Sequence, residues 1–242
     1  MIALVTGGAN GIGAATARCL AERGDTVVVA DLDGAAAEAL AAEIGGVGCT
    51  VDVSDEASVA AMAAFVAERL GGLDVACNVA GIAPAPKPFT DHTLAEWQRT
   101  IDVDLTGVFL CMQHELRLML VGGRGGAIVN MASGAAVVAA PGQPQYTAAK
   151  HGVLGLTRQA AQEYAAQGIR VNAVLPGQTA TGPMQAYLDA MPDGGERMLR
   201  RLPMGRMATP EEIARATVWL CSAEASYVNG TALTVDGGLI AR

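Results

Sequence analysis

The sequence predicts an α/β fold, a single doubly wound parallel sheet of about seven strands with helices on both faces. Three observations predict it. Short β-branched runs alternate with longer alanine-rich stretches from one end of the 242 residues to the other. The short runs are apolar throughout, the pattern of strands covered on both sides. A glycine-rich turn joins the first run to the first helical stretch, which makes the fold Rossmann-type.

The expected strands are 2–6, 26–30, 47–51, 75–79, 126–131, 169–175 and 232–235. Helical spacing runs through 12–23, 34–44, 55–70, 94–119, 146–167 and 210–221. Residues 177–209 mix Gly, Pro, Met and charge without a strand, and are expected to form a substrate-binding loop or lid. No linker or repeat interrupts the pattern, so 1–242 is expected to be one domain.

Composition narrows the function. At 51% apolar and 17% charged residues, the chain is too apolar for disorder. A net charge of −8 argues against nucleic acid and against anionic membrane surfaces. No apolar run approaches the roughly 20 residues that cross a bilayer. The opening Met1–Val5 carries no basic leader. The five cysteines are odd in number and scattered, as reduced thiols of a cytoplasmic protein would be. His92, His114 and His151 show no metal-ligand spacing, so no metal is expected.

The first strand runs into Thr6-Gly7-Gly8-Ala9-Asn10-Gly11-Ile12-Gly13. Glycines there let backbone N–H groups approach a pyrophosphate at a helix N-terminus. By itself such a turn is equally a tight strand–helix connection. Asp31, with Leu32 beside it, ends the second strand 18 residues past Gly13. A carboxylate there bonds a ribose 2′-hydroxyl and repels a 2′-phosphate, which points to NAD rather than NADP. Asp31 or Asp33 could also be an ordinary helix cap.

Tyr146 and Lys150 stand four apart on a predicted helix and so share a face. A free tyrosine ionises near about 10, and a neighbouring ammonium favours its phenolate. Ser133, 13 residues earlier and just after a strand, could hold a substrate oxygen.

Together these motifs resemble the classical short-chain dehydrogenase/reductase family, and the likeness covers nearly the whole chain. Asp52-Val53 resembles the family's adenine-contacting pair. Asn78-Val79-Ala80-Gly81 resembles Asn-Asn-Ala-Gly. Pro176-Gly177-Gln178-Thr179-Ala180-Thr181 resembles the segment that holds the nicotinamide carboxamide, and Asp236-Gly237-Gly238 the terminal Asp-Gly-Gly. The resemblance implies that Tyr146 exchanges the hydroxyl proton. Lys150 would bind the nicotinamide ribose and lower the Tyr146 pKa, and Ser133 would polarise the substrate oxygen. It implies cofactor contacts at Gly7, Asn10, Gly11, Ile12, Gly13, Asp31, Leu32, Asp52, Val53, Asn78, Ala80, Gly81, Tyr146, Lys150, Pro176, Gly177, Thr179 and Thr181. It also implies a homotetramer, or a homodimer.

Two positions depart from the family pattern. Val79 replaces the second Asn, so a structural side-chain bond is expected to be lost there. Asp104 stands where the family usually has the Asn of a proton relay to the lysine. The relay is expected to survive with a shifted pH optimum, unless Asp104 turns away or stays protonated.

The expected pocket is lined by Ser133, Ala135, Gln143, Met184 and Tyr187, with room left by Gly134. Flexible methionines in 177–209 suit an apolar pocket, though they also fill ordinary core. The reading is an NAD-dependent oxidoreductase acting on a secondary alcohol or ketone, largely apolar, with cyclic substrates among the candidates. The alternatives are an NADP-dependent ketoreductase of the same fold and a non-catalytic NAD-sensing protein.

Overall fold

The computed structural model describes residues 1–191 and 195–241. Seven strands form one parallel sheet in the order β3-β2-β1-β4-β5-β6-β7. They are β1 (Ile2–Thr6), β2 (Thr26–Asp31), β3 (Val47–Thr50), β4 (Val75–Asn78), β5 (Gly126–Met131), β6 (Ile169–Pro176) and β7 (Ala232–Val235). Each lies within a residue or so of its expected place.

Strand periodicity sorts the core into two layers. Leu4, Val28, Ala30, Ala76 and Ile128 face one side of the sheet. They pack there with Val59, Met62 and Val66 of α3 (Glu56–Leu70), Leu116 of α5 (Gly107–Gly122) and Val153 of α6 (Pro144–Tyr164). Ala3, Val5, Val27, Val29 and Cys77 face the other side. Their partners are Leu20 of α1 (Gly11–Glu22), Leu40 of α2 (Gly34–Ile44) and Ile213 and Leu220 of α9 (Pro210–Leu220). Burial on both faces is why the strands read as unbroken apolar runs.

Two expectations change. The helix expected over 94–119 is divided into α4 (Leu94–Ile101) and α5 by a π-turn, Asp102–Thr106. Such widened turns are rare and concentrate at functional sites. Here the turn carries Asp104, which is fully buried. The stretch 177–209 is not strandless loop alone. It contains α7 (Gly182–Asp189) and the short α8 (Glu196–Leu199), and Thr179 bridges to Ala208. Part of that expected lid, residues 192–194, lies outside the described residues.

Among the described residues no helix is long and apolar enough to cross a membrane. All five cysteines are free thiols. Strand order reverses between β1 and β4, so the crevice at their carboxyl ends is the topological switch point where such sheets bind ligands.

Candidate active site

The glycine turn follows β1 and meets the segment after β4. A Cβ on Gly7 would stand 2.6 Å from the Ala80 backbone, and Gly7 has φ +63°. A Cβ on Gly13 would stand 1.9 Å from the Gly7 carbonyl oxygen. No side chain fits at either place, so α1 docks backbone-to-backbone on the turn. Asn10 is the N-cap of α1 but makes no side-chain cap bond, and the first turn carries no acid. The leading N–H groups therefore keep their capacity for an anion. Thr181 closes one side, its Cγ2 3.1 Å from where a Gly11 Cβ would be. A cradle without side chains, under an uncapped helix end, fits a dinucleotide pyrophosphate.

The structure separates the two readings of the acids after β2. Asp33 is the cap of α2 and accepts the Ala36 N–H at 3.0 Å. Asp31 caps nothing. Its carboxylate accepts the Ala9 N–H at 3.0 Å and the Asp33 N–H at 3.1 Å. It is thus fixed beside the glycine turn, with lone pairs left for a ribose hydroxyl. Leu32 next to it is 70% exposed.

Other expected cofactor residues divide by environment. Asp52 is held below the usual carboxylate range by the Ser54 hydroxyl, 2.6 Å away, and by the Ser54 N–H. Val53 is buried and packs where Gly107 leaves no room for a Cβ. Asn78 is buried, and its amide nitrogen donates to Glu115 and to Asn130, each at 3.0 Å. Both donors of the Asn78 amide are thus spent inside the core. Val79 itself packs on the core as an apolar side chain. Gly177 needs its missing side chain because Asp236 lies 2.7 Å from its Cβ position. Thr179 is buried and donates to the Gly177 carbonyl.

The catalytic candidates converge at the carboxyl end of β5. Ser133 follows it in extended backbone, and its Oγ accepts the Ala135 N–H at 3.1 Å. That fixes the hydroxyl while leaving its proton to donate. Tyr146 and Lys150 lie one turn apart on α6, with Lys150 Nζ 5.5 Å from the centre of the tyrosine ring. Lys150 is buried. It donates to the Met131 carbonyl at 3.2 Å and lies 3.2 Å from Asp104 Oδ2. The Met131 carbonyl engages one ammonium donor, while Asp104 Oδ2 meets the ammonium as an ion pair without a hydrogen bond.

Asp104 has not turned away. Its Oδ1 accepts the Ile82 N–H at 2.8 Å, and Gly81 stands beside the ion pair, its Cβ position 3.4 Å from both Asp104 Oδ2 and Lys150 Nζ. Burial pushes the Asp104 carboxyl up, against the pull of Lys150 and the Ile82 N–H. Burial pulls the Lys150 ammonium down, but Asp104 and Tyr146 outweigh it and the net direction is up.

Around this centre, Ala135 is buried in a short 3₁₀ turn. The Gln143 amide donates to the Pro84 carbonyl, tying the approach to α6 to the loop after β4. On α7, Met184 is half-buried and Tyr187 is 39% exposed, while Leu188 is the side chain the helix buries. Sequence reasoning missed Ile82 and Met131, which act through backbone atoms that no residue type announces. It also missed Ile240, which lies against Gly134. Among the described residues no cluster of His, Cys, Asp or Glu could hold a metal. A cavity of about 820 Å³, with Asp74, Arg124 and Tyr227 in its wall, opens at the amino ends of β4 to β6, away from Ser133.

Comparisons with known proteins agree with this geometry. A family model described as enoyl-(acyl carrier protein) reductase matches residues 7–240. The chain is 49% identical to a cis-4-hydroxycyclohexanecarboxylate dehydrogenase of Sinomonas cyclohexanicum, over 99% of this chain and 96% of that protein. It is 38% identical to a cyclohexanol dehydrogenase of Acinetobacter sp. (strain SE19), over 98% of this chain and 93% of that protein. The crystal structure of levodione reductase superposes with a TM-score of 0.94 at 36% identity, covering 98% of this chain and 96% of that one. The chain belongs to the classical short-chain dehydrogenase/reductase family and is an alcohol oxidoreductase within it.

Proposed function

We propose that the protein is an NAD-dependent dehydrogenase of secondary alcohols carried on a compact, largely apolar ring. The observation that carries the cofactor choice is Asp31, fixed by two backbone N–H groups beside the glycine turn. A carboxylate held there accepts from the ribose 2′-hydroxyl and repels a 2′-phosphate. The ring is supported by the relatives, two of which are named for cyclohexane-ring alcohols.

Residues of the glycine turn would hold the pyrophosphate, Asp31 the adenine-side ribose, and Pro176–Thr181 the nicotinamide side. Bound NAD supplies the hydride acceptor. The substrate hydroxyl lies between Ser133 and Tyr146. Ser133, its oxygen already engaged by the Ala135 N–H, donates its proton to the substrate oxygen and orients it. Tyr146 accepts the alcohol proton as the carbinol C–H bond breaks, leaving a ketone. Lys150, held by the Met131 carbonyl and paired with Asp104, presents an N–H to the nicotinamide ribose and its charge to the Tyr146 hydroxyl. Asp104 partly neutralises that charge and holds the lysine in place.

The test is a panel of cyclohexanol-type, steroidal, sugar and acyclic alcohols with NAD, followed at the reduced nicotinamide absorbance. Turnover is expected with the ring alcohols. Preference for a phosphorylated or acyl-carrier substrate, or for NADP, contradicts the proposal.

A further inference from the structure

The C-terminal tail reaches the active site. After β7, Asp236 clasps the chain that follows it, its Oδ1 accepting the Gly238 N–H and its Oδ2 the Ile240 N–H, both at 2.8 Å. The same residue fills the space over Gly177. Asp236 therefore joins the segment that would hold the nicotinamide to the last turn of the tail. The clasp sets Ile240 against Gly134, with its Cγ2 3.3 Å from the Gly134 Cβ position. Gly134 directly follows Ser133. Gly237 and Gly238 lie against Met204 and Pro203, so the stretch between α8 and α9 braces the tail from the other side.

We infer that Ile240 is a specificity-determining residue, a steric wall of the substrate site that sets how large a ring fits beside Ser133. The inference rests on the proposed alcohol dehydrogenase reading. Gly134 offers no side chain, so the first bulk beyond the serine on this side is the isoleucine. Ile240 is half-buried and aliphatic. It can exclude volume but cannot exchange a proton, and its effect falls on substrate size rather than on proton transfer. The two clasp bonds hold the wall at a fixed distance, and a fixed wall discriminates by size where a mobile one would yield. Loss or gain of a few methylene-sized groups in such a pocket changes specificity by about 10- to 200-fold.

The experiment compares kcat/KM for cyclohexanol, 4-tert-butylcyclohexanol and 2-butanol in the wild type, Ile240→Ala and Ile240→Trp. NAD dissociation constants and thermal melts are measured alongside, and Ile240→Val supplies a smaller step. Ile240→Ala is expected to raise the ratio of the bulky to the plain ring alcohol about tenfold. Ile240→Trp is expected to lower kcat/KM for cyclohexanol about tenfold while sparing 2-butanol, and NAD binding stays constant in both. Ratios unchanged within about twofold in every variant would overturn the inference while leaving the dehydrogenase reading intact. A folded wild type that binds NAD but oxidises no alcohol would overturn that reading, and this inference with it.

Discussion

Lys150 Nζ lies 3.2 Å from Asp104 Oδ2, and both side chains are buried. A buried ion pair is costly to break, because removing one partner strands the other charge. Asp104 also satisfies the Ile82 N–H. Asp104→Ala is therefore expected to destabilise the protein by roughly 3 kcal/mol, read as a lowered urea midpoint. Asp104→Asn strands the same ammonium but keeps an acceptor for the Ile82 N–H, so it should cost less than the alanine by about 1 kcal/mol. Equal losses in the two variants would show that the carboxylate charge, not the retained acceptor, carries the stability.

The same pair predicts a pH dependence. Asp104 lies 3.2 Å from the Lys150 ammonium, which stands 5.5 Å from the centre of the Tyr146 ring, so a negative charge there opposes the lysine's. Asp104→Asn removes the negative charge and leaves the ammonium uncompensated. The acid limb of kcat/KM for alcohol oxidation is then expected to move to lower pH, by about one unit. An unchanged pH–rate profile would remove Asp104 from the electrostatics of the site.

Glu115 predicts a pH-dependent stability. It is fully buried on α5, and burial pushes its carboxyl up to about 7 against one hydrogen bond from Asn78. Its second oxygen has no hydrogen-bond partner. An unfolded glutamate ionises near about 4.3. As pH rises from there through about 7, the unfolded chain gives up its proton first, so the folded state loses stability across that window. Glu115→Gln should abolish this slope, its stability relative to wild type rising by on the order of 3 kcal/mol between pH 4 and 8. Parallel denaturation curves for both proteins across that range would contradict the assignment.

Asp31 predicts cofactor selectivity. Asp31→Ser withdraws the repulsion of a 2′-phosphate and one partner of the ribose hydroxyl. The ratio of NADP to NAD dissociation constants should fall by about tenfold or more, an electrostatic difference of about 1.4 kcal/mol. A ratio that stays where it was would mean that cofactor choice is made elsewhere.

Much of this was legible in the sequence, and the remainder was hidden for physical reasons. The strands could be read because Leu4 and Val5, like Val28 and Val29, are buried on opposite faces of one sheet. The order Ser133, Tyr146, Lys150 carried the catalytic reading through its spacing. The π-turn at Asp102–Thr106 carried no such signal, because one widened turn leaves the helical pattern intact on either side. The helices at Gly182–Asp189 and Glu196–Leu199 are short and largely exposed, so no apolar stripe marks them. Asp104 could be named, but its direction depends on a long-range pairing with Lys150. The approach of Ile240 to Gly134 joins residues more than a hundred positions apart and follows only from the fold.

Tyr146→Phe tests the central claim most directly. The ring stays beside Lys150 while the proton-accepting oxygen is lost. Binding of NAD, measured by titration, should be nearly unchanged, and kcat for oxidation of a cyclohexanol-type alcohol should fall by about 10²- to 10⁴-fold. Oxidation that continues at the wild-type rate would contradict the assignment of Tyr146 as the proton carrier.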